Sequence, residues 1–148
     1  FSKMGVVLIC TNNIRCFITM TYRFFARYST TFSGIGTSGI IAKITSSLDA
    51  WIVLYGSAAE RTSDASRTYA TDPSTGSGVL AEFYITAGTT LTATPGTSYF
   101  NNDTSATEAI YAAVRSQAGA NVNSQVTITA YGNQAITSVS GGTFGSGV

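Results

Sequence analysis

The residues of this chain that could carry chemistry are few, and their spacing forms no recognised catalytic set. The sequence has no histidine, which excludes Ser-His-Asp and Cys-His pairs, His-based zinc sites and a general base with an ordinary pKa near neutrality. Asp64 and Glu82 could be imagined as the carboxylate pair of a glycosidase, but no other feature supports that pairing. Gly76-Ser77-Gly78 lacks the lysine of a phosphate-binding loop. We predict no enzymatic activity and no cofactor.

Charged residues cluster in and beside one long polar segment. They are Arg61, Asp64, Arg67, Asp72 and Glu82. Alternating charges at this spacing predict an ion-pair network that holds the segment against a sheet, although separately solvated charges would also fit. A third interpretation is a calcium site. Its ligands would be Asp64, Asp72, Glu82 and Asp103. Calcium takes six to eight oxygen ligands and no Asp-rich ligand loop is present, so we favour ion pairing and predict no metal.

Cys10 and Cys16 allow a disulfide only under one local fold. A three-residue hairpin loop that begins at Asn12-Asn13 would place the two cysteines opposite each other. In an extended segment, six residues at ~3.3 Å each would hold them too far apart to bridge. Two thiols without histidine make no metal site. A disulfide and two separate buried thiols therefore both remain open.

The composition fits one compact domain of low charge. The chain has 148 residues, of which 44% are hydrophobic and only 10% are charged, against about 25% charged in typical soluble domains. Residues 1–48 hold five basic and no acidic side chains, whereas residues 49–148 hold three arginines and seven acids. Five dispersed positive charges are a thin basis for a nucleic-acid partner. The longest apolar run, residues 5–10, is far shorter than the ~20 residues of a spanning helix, so no membrane partner is expected.

The elements that must position these residues are predicted to be strands. Apolar and polar residues alternate, or β-branched and aromatic residues accumulate, in several short runs. These runs are residues 5–10, 16–28, 40–44, 51–55, 79–86, 89–94 and 126–131. Residues 51–55 are apolar on both faces, which predicts a central strand. Residues 104–118 fit a helix or a strand, and we favour the strand. Residues 56–78 are long for a loop and are expected to carry short structure or a packing role.

These runs predict an all-β protein, an antiparallel jelly-roll-like β-sandwich with an extended N-terminal arm. We place the arm and a Gly/Ser/Thr connector in residues 1–39, the sandwich body in residues 40–136 and a Gly-rich tail in residues 137–148. Pro95-Gly96 is expected to form a turn. The arm is predicted to contact neighbouring subunits through its apolar and aromatic residues. The arm residues singled out are Phe17, Met20, Tyr22, Phe24 and Phe25.

An ordered series of motifs extends from residue 51 to residue 101. It consists of WIVLY at 51–55, then Arg61, Asp64 and Arg67, Asp72-Pro73, Gly76-Ser77-Gly78-Val79, Glu82, Pro95-Gly96 and Phe100-Asn101. This order resembles a small β-sandwich module of virion structural proteins of tailed bacteriophages, notably those that infect cyanobacteria and other aquatic bacteria. The resemblance covers about residues 40–131.

The resemblance implies a structural virion subunit, either a capsid decoration or a tail or fibre component. Its partners would be identical subunits and other virion proteins, and it would be located in the virion. Low charge and a Thr/Ser-rich surface also suit a second interpretation, a subunit of an extracellular surface filament. A third is a glycan-binding receptor-recognition domain of a tail appendage. Its aromatic residues would be Tyr69, Tyr84, Tyr99, Phe100 and Tyr111.

Overall fold

The computed structural model describes the backbone of residues 4–11, 15–24, 28–116 and 122–133, and the side chains of residues 28–115 and 125–133. The strands within these ranges are β1 Met4–Thr11, β2 Arg15–Phe24, β3 Tyr28–Ser33, β4 Ser38–Ser46, β5 Ala50–Tyr55, β6 Val79–Ile85, β7 Thr90–Phe100, β8 Ala109–Ser116 and β9 Val122–Asn133. One helix, α1 Ala58–Ser63, lies between β5 and β6. The strand favoured for residues 104–118 is confirmed as β8.

The strands form two antiparallel sheets with the nested pairing of a jelly roll. A five-stranded sheet has the order β1-β2-β9-β4-β7, and a four-stranded sheet has the order β3-β8-β5-β6. Strand β2 pairs with β9, β3 with β8, β4 with β7 and β5 with β6. The chain therefore behaves as one long folded-back ribbon wrapped into two sheets, which is the double Greek key of a jelly roll. The predicted all-β sandwich is confirmed.

The core lies between the two sheets. It is made of side chains that alternate along the described strands, so that each strand gives one face to it. Its largest fully buried members are Phe32, Ile41, Ile44, Ile52, Leu54, Tyr99 and Ile110. Strand β5 lies between β8 and β6 in the sheet. Both of its faces are buried, one in the core between the sheets and the other in a second cluster on the outer face. The prediction of a central strand at residues 51–55 is confirmed.

The structure corrects the predicted arm. The sequence predicts an N-terminal arm and connector in residues 1–39, outside the sandwich body. In the structure, β2 pairs along its whole length with β9, and β3 pairs with β8. Both are integral strands of the jelly roll, and the predicted connector at residues 29–39 contains β3. The β-branched and aromatic residues of this region form strands within the same chain, so only β1 lies outside the nested pairs.

The structure also corrects the turn expected at Pro95-Gly96. Strand β7 runs through both residues, and its Thr94–Pro95 peptide is cis. The register with β4 slips here, because Ile41 pairs with Thr97 whereas Lys43 pairs with Thr92. The extra residues of β7 form a bulge on an edge strand. Proline is tolerated at such a place because it removes no ladder hydrogen bond of a central strand.

A buried tyrosine ties β7 to the loop between β3 and β4. The Tyr99 hydroxyl donates to the Ile35 carbonyl at 2.5 Å, and burial raises the pKa of Tyr99 to about 12. Gly39 and Gly132 make room for this contact. A Cβ at Gly39 would lie 2.5 Å from the Tyr99 hydroxyl oxygen, and one at Gly132 would lie 1.8 Å from the Ile35 carbonyl oxygen.

Helix α1 begins at an N-cap serine that follows β5. The Ser57 hydroxyl accepts from the Glu60 backbone amide at 3.2 Å, and Ser-Ala-Ala-Glu is the spacing of a capping box. The predicted short structure within residues 56–78 is confirmed as this helix. Within the described ranges, no helix is long and apolar enough to cross a bilayer.

Candidate functional site

Residues 56–78, which we call the covering loop, fold over the outer face of the four-stranded sheet. Beneath the loop lies a second buried cluster, separate from the core between the sheets. Its fully buried members are Trp51, Val53, Tyr55 and Ala113. The loop therefore gives the sheet a third layer, and the charged residues predicted to form a network lie in or beside this layer.

Arg67 is the centre of the ion pairs in this layer. Its Nε lies 2.8 Å from Asp64 Oδ1 and 3.0 Å from Oδ2, and its Nη1 contacts the Glu82 carboxylate. The same Nη1 donates to the Thr71 carbonyl at 2.8 Å. The side chains of Arg67 and Asp64 are only 6% and 5% exposed, so this pair is largely desolvated. The network holds the loop to β6, as predicted for Asp64, Arg67 and Glu82.

Asp64 is stabilised as a carboxylate by several donors. Burial alone would raise its pKa, but the hydrogen bonds from Arg67 and Tyr55 and the charges of Arg67 and Arg115 outweigh that effect. The pKa of Asp64 therefore lies below its ordinary value of 3.8. The Tyr55 hydroxyl, fully buried on β5, donates to Asp64 Oδ2 at 2.6 Å. For Arg67, burial would lower the pKa, yet the hydrogen bonds to Asp64 and Glu82 raise it.

Two guanidinium groups lie close to the Trp51 ring. The Cζ of Arg115 is 4.1 Å and that of Arg67 4.9 Å from the Trp51 ring centroid. Trp51 and Arg115 are opposite each other in the pairing of β5 with β8. Arg115 also donates to the carbonyls of Arg67 and Asp64. Sequence reasoning missed Arg115, although a lone arginine that ends an apolar strand was a signal for such a role.

Two members of the predicted network lie elsewhere. Arg61 donates to the Thr30 carbonyl and stacks on Tyr111 at 5.3 Å, so it ties the covering loop to β3 and β8. Asp72 is exposed and forms no ion pair with any described side chain. The calcium interpretation also fails in the described part of the chain, where no three acidic, histidine or cysteine side chains converge.

The predicted aromatic set separates into different environments. Tyr69 and Tyr84 lie together, half-exposed, with ring centroids 5.5 Å apart. Tyr99 belongs to the core. The Tyr111 hydroxyl donates to Asp103 at 2.7 Å, and this hydrogen bond and then burial raise the pKa of Tyr111. Phe100 is exposed on the other sheet, so only the first two can act jointly on a ligand.

An exposed apolar patch lies on the outer face of the five-stranded sheet. Ile40 pairs directly with Tyr131 and Ser98, and Phe100 follows two residues after Ser98 on the same face. This exposed patch consists of Ile40, Tyr131 and Phe100, which are 47%, 38% and 49% exposed. Gly96 leaves room for Ile40, because a Cβ there would lie 2.1 Å from Ile40 Cγ2. No local pattern in the sequence indicates this patch, because its members come from three strands.

The predicted residues near the N-terminus fall largely outside the described side chains. For the arm residues Phe17, Met20, Tyr22 and Phe24 only the backbone of β2 is described, and Phe25 lies outside the described residues. The backbone register pairs Cys10 with Cys16 across β1 and β2. This is the hairpin arrangement under which we predicted that a disulfide could form, and the bridge itself stays a prediction.

Comparison of the sequence with family models, with curated proteins and with solved structures gave no match. The function therefore has to be argued from the geometry described above.

Proposed function

We propose that this protein is a structural subunit of a tailed-phage virion, either a capsid decoration or a tail or fibre component. It would assemble with identical copies and other virion proteins through its five-stranded sheet. Two features support this proposal. The nested jelly roll is a recurring architecture of viral capsid proteins, and the motif order over residues 40–131 resembles that of phage virion modules.

The observation that carries the assembly proposal is the contrast between the two edges of the five-stranded sheet. Edge strand β7 contains Pro95 and a bulge, both of which block pairing with another strand. Edge strand β1 reads MGVVLICT, with no proline and no charged residue. Its outer row of backbone groups has no partner strand among those described. An apolar edge of this kind readily accepts a strand from a second chain.

The exposed patch extends the same surface. Its three side chains lie on β9, β4 and β7, across β2 from the β1 edge, so the patch offers a second contact for a neighbouring copy or another virion protein. Apolar patches of this type mark protein interaction sites when they are continuous. Edge pairing and face packing together form a larger interface than either could alone.

Truncation of the chain tests the edge. Strands β2 to β9 contain all four nested pairs, so removal of residues 1–14 should leave a folded jelly roll that no longer assembles. Removal of residues 1–39 is the contrasting variant, because it deletes the strands that pair with β9 and β8 and should abolish folding. Circular dichroism reports the fold, and light scattering after size exclusion reports the mass. An assembly that persists without residues 1–14 would contradict the edge proposal.

A point substitution tests the face in the full-length chain. Phe100→Glu should weaken assembly because it places a charge in the exposed patch. Thr92→Glu is the matched control, since Thr92 is exposed on the same strand but lies outside the patch. Equal assembly of the two variants would remove the patch from the interface.

A subunit of an extracellular filament would use the same edge and face. Negative-stain images of the native assembly separate the two proposals. Head-and-tail particles that carry the protein support the virion, whereas isolated fibres of this single protein support the filament.

A further inference from the structure

Two tyrosines form an exposed right-angled corner on the four-stranded sheet. The rings of Tyr69, from the covering loop, and Tyr84, from β6, meet at an interplanar angle of 87° with their centroids 5.5 Å apart. The residues are 50% and 46% exposed. Tyr84 therefore gives a flat surface and Tyr69 an upright one, and we call this pair the aromatic corner.

The aromatic corner is held by residues that do not face the solvent. Trp51, fully buried, lies parallel to Tyr84 at 6.1 Å and perpendicular to Tyr69 at 5.7 Å. Arg67 and Arg115 stack on Trp51, and Arg67 is fixed by its carboxylate partners. Because these supports are contacts within the protein itself, the corner needs little reorganisation to bind a ligand, which favours affinity.

Two carboxylates accompany the aromatic corner. Glu82 precedes Tyr84 by two residues and so lies on the same face of β6, and its side chain is 19% exposed. Asp72 is exposed in the covering loop. Burial is the first cause of the raised pKa of Tyr84; the charges of Glu82, Tyr69 and Asp72 add to it, and the charge of Arg67 opposes it. Both carboxylates therefore influence the Tyr84 hydroxyl electrostatically.

We propose that the aromatic corner binds a neutral saccharide. A pyranose with equatorial hydroxyls presents an apolar C–H face that can stack on Tyr84, while its edge contacts Tyr69. Its hydroxyls can donate to the carboxylate oxygens of Glu82 and Asp72. Arg67 offsets the charge of Glu82, whereas Asp72 forms no ion pair with any described side chain, so the charge of Asp72 disfavours uronic and sialic acids.

A quaternary ammonium ligand fits this corner less well. Such cations are bound by aromatic cages that surround them. Here the two tyrosine rings are in contact with each other, and the third ring is already occupied by Arg67 and Arg115. The corner offers a flat surface and an upright edge instead of an enclosed space, and that shape suits a sugar ring.

Intrinsic fluorescence measures binding directly. Trp51 is the single tryptophan of the chain and stacks beside Tyr84, so a sugar on the aromatic corner should change its emission in a saturable way. The probes are three neutral oligosaccharides, cellohexaose, maltohexaose and chitohexaose, and hexagalacturonate serves as the acidic comparison. We expect at least one neutral probe to bind, and the acidic probe to bind at least several-fold more weakly.

Substitutions locate the binding at the corner. Tyr84→Ala and Tyr69→Ala should each weaken binding of the neutral probe about three- to tenfold, the range for one stacked ring. Tyr84→Phe keeps the ring and should retain most of the affinity. Thr92→Ala is the matched control, because it removes an exposed side chain from the other sheet and lies outside the exposed patch. Thermal unfolding shows that each variant is folded before it is titrated.

Three outcomes would overturn the proposal. One is that none of the three neutral probes binds at millimolar concentration. A second is that binding survives both tyrosine-to-alanine substitutions unchanged. The third is that hexagalacturonate binds as well as the neutral probes. The aromatic corner lies on the sheet opposite the assembly surface, so these results are independent of whether the protein assembles through β1.

Discussion

Replacement of Asp64 by alanine is the sharpest test of how the covering loop is held. Asp64 accepts hydrogen bonds from Arg67 and from the fully buried Tyr55 hydroxyl. Its removal deletes the hydrogen bond between the Tyr55 hydroxyl and Asp64 Oδ2 and leaves Arg67, only 6% exposed, with Glu82 and the Thr71 carbonyl among its remaining partners.

The expected cost follows from this geometry. Loss of one member of a buried ion pair destabilises by about 3–5 kcal/mol, because the other charge stays buried. Arg67 keeps two partners, so the ionic loss belongs at or below the lower end of that range. Loss of the hydrogen bond between Tyr55 and Asp64 adds to it. We therefore expect Asp64→Ala to lower the free energy of unfolding by about 3 kcal/mol.

Asp72→Ala is the matched control. Asp72 is a carboxylate of the same loop, but it is exposed and unpaired among the described residues. Surface substitutions of this kind usually change stability by no more than about 0.5 kcal/mol. The two variants remove the same charge from the same segment, so their difference isolates the ion-pair network from a general effect of charge.

Urea unfolding followed by Trp51 fluorescence is the appropriate assay. With a typical urea dependence of about 1–3 kcal/mol per molar, the midpoint of Asp64→Ala should fall by about 1–3 M. The native emission of Trp51 should also move towards that of an exposed indole if the loop opens. If Asp64→Ala is no less stable than Asp72→Ala, the network does not hold the loop, and our account of this layer is wrong.

Three further predictions follow. The pKa of Asp64 is lower in the folded protein than its ordinary value of 3.8, so ionised Asp64 stabilises the fold above pH 3.8. This stabilisation is lost as the pH falls through the lower pKa of the folded state. When the free energy of unfolding is measured against pH, Asp64→Asn should lack this loss. Gly76→Ala and Gly78→Ala both place a side chain at positive φ. A Cβ at Gly78 would lie 2.1 Å from Glu60 Cδ, whereas one at Gly76 would meet nothing within 4 Å. Calorimetry should therefore show the larger loss of melting temperature for Gly78→Ala. Intact mass under non-reducing conditions should be about 2 Da below the reduced mass if Cys10 and Cys16, paired in register, form the predicted disulfide; an unchanged mass on reduction would leave them as separate thiols.

The sequence was informative where the pattern is local. The two apolar faces of residues 51–55 predicted the central strand β5 because burial on both sides requires apolar residues at every position. The turn predicted at Pro95-Gly96 is wrong because the same dipeptide suits a turn or a bulge, and only the pairing of β7 with β4 decides between them. The capping box at Ser57 and Glu60 is a local pattern that indicates the start of α1.

The predicted N-terminal arm failed for a different reason. Residues 15–24 have the composition of a strand, but composition does not identify the strand with which they pair. The partner is β9, more than a hundred residues later in the chain. A jelly roll closes by pairing its first strands with its last, so the strands that lie farthest apart in sequence are the hardest to assign from a single chain.

The candidate site divides in the same way. Asp64 and Arg67 are three residues apart, and their pairing was predictable from the local spacing. The contact of Arg115 with Trp51 depends on the register between β5 and β8, and the aromatic corner depends on where the covering loop returns to β6. Neither register nor loop path is encoded by spacing, which is why the predicted set of aromatic residues included members from four environments.

The nested topology converts a charge bias along the sequence into a charge bias between the sheets. The N-terminal third supplies β1, β2 and β4 to the five-stranded sheet but only β3 to the other sheet. The strands of the five-stranded sheet consequently contain Arg15, Arg23 and Lys43 and no acid. The acidic residues lie in the four-stranded sheet, the covering loop and the connecting loops. Each surface charge pair contributes little alone, but the bias adds to the asymmetry of the five-stranded sheet, whose β1 edge contains no charged residue and is the edge proposed to accept a strand from a second copy.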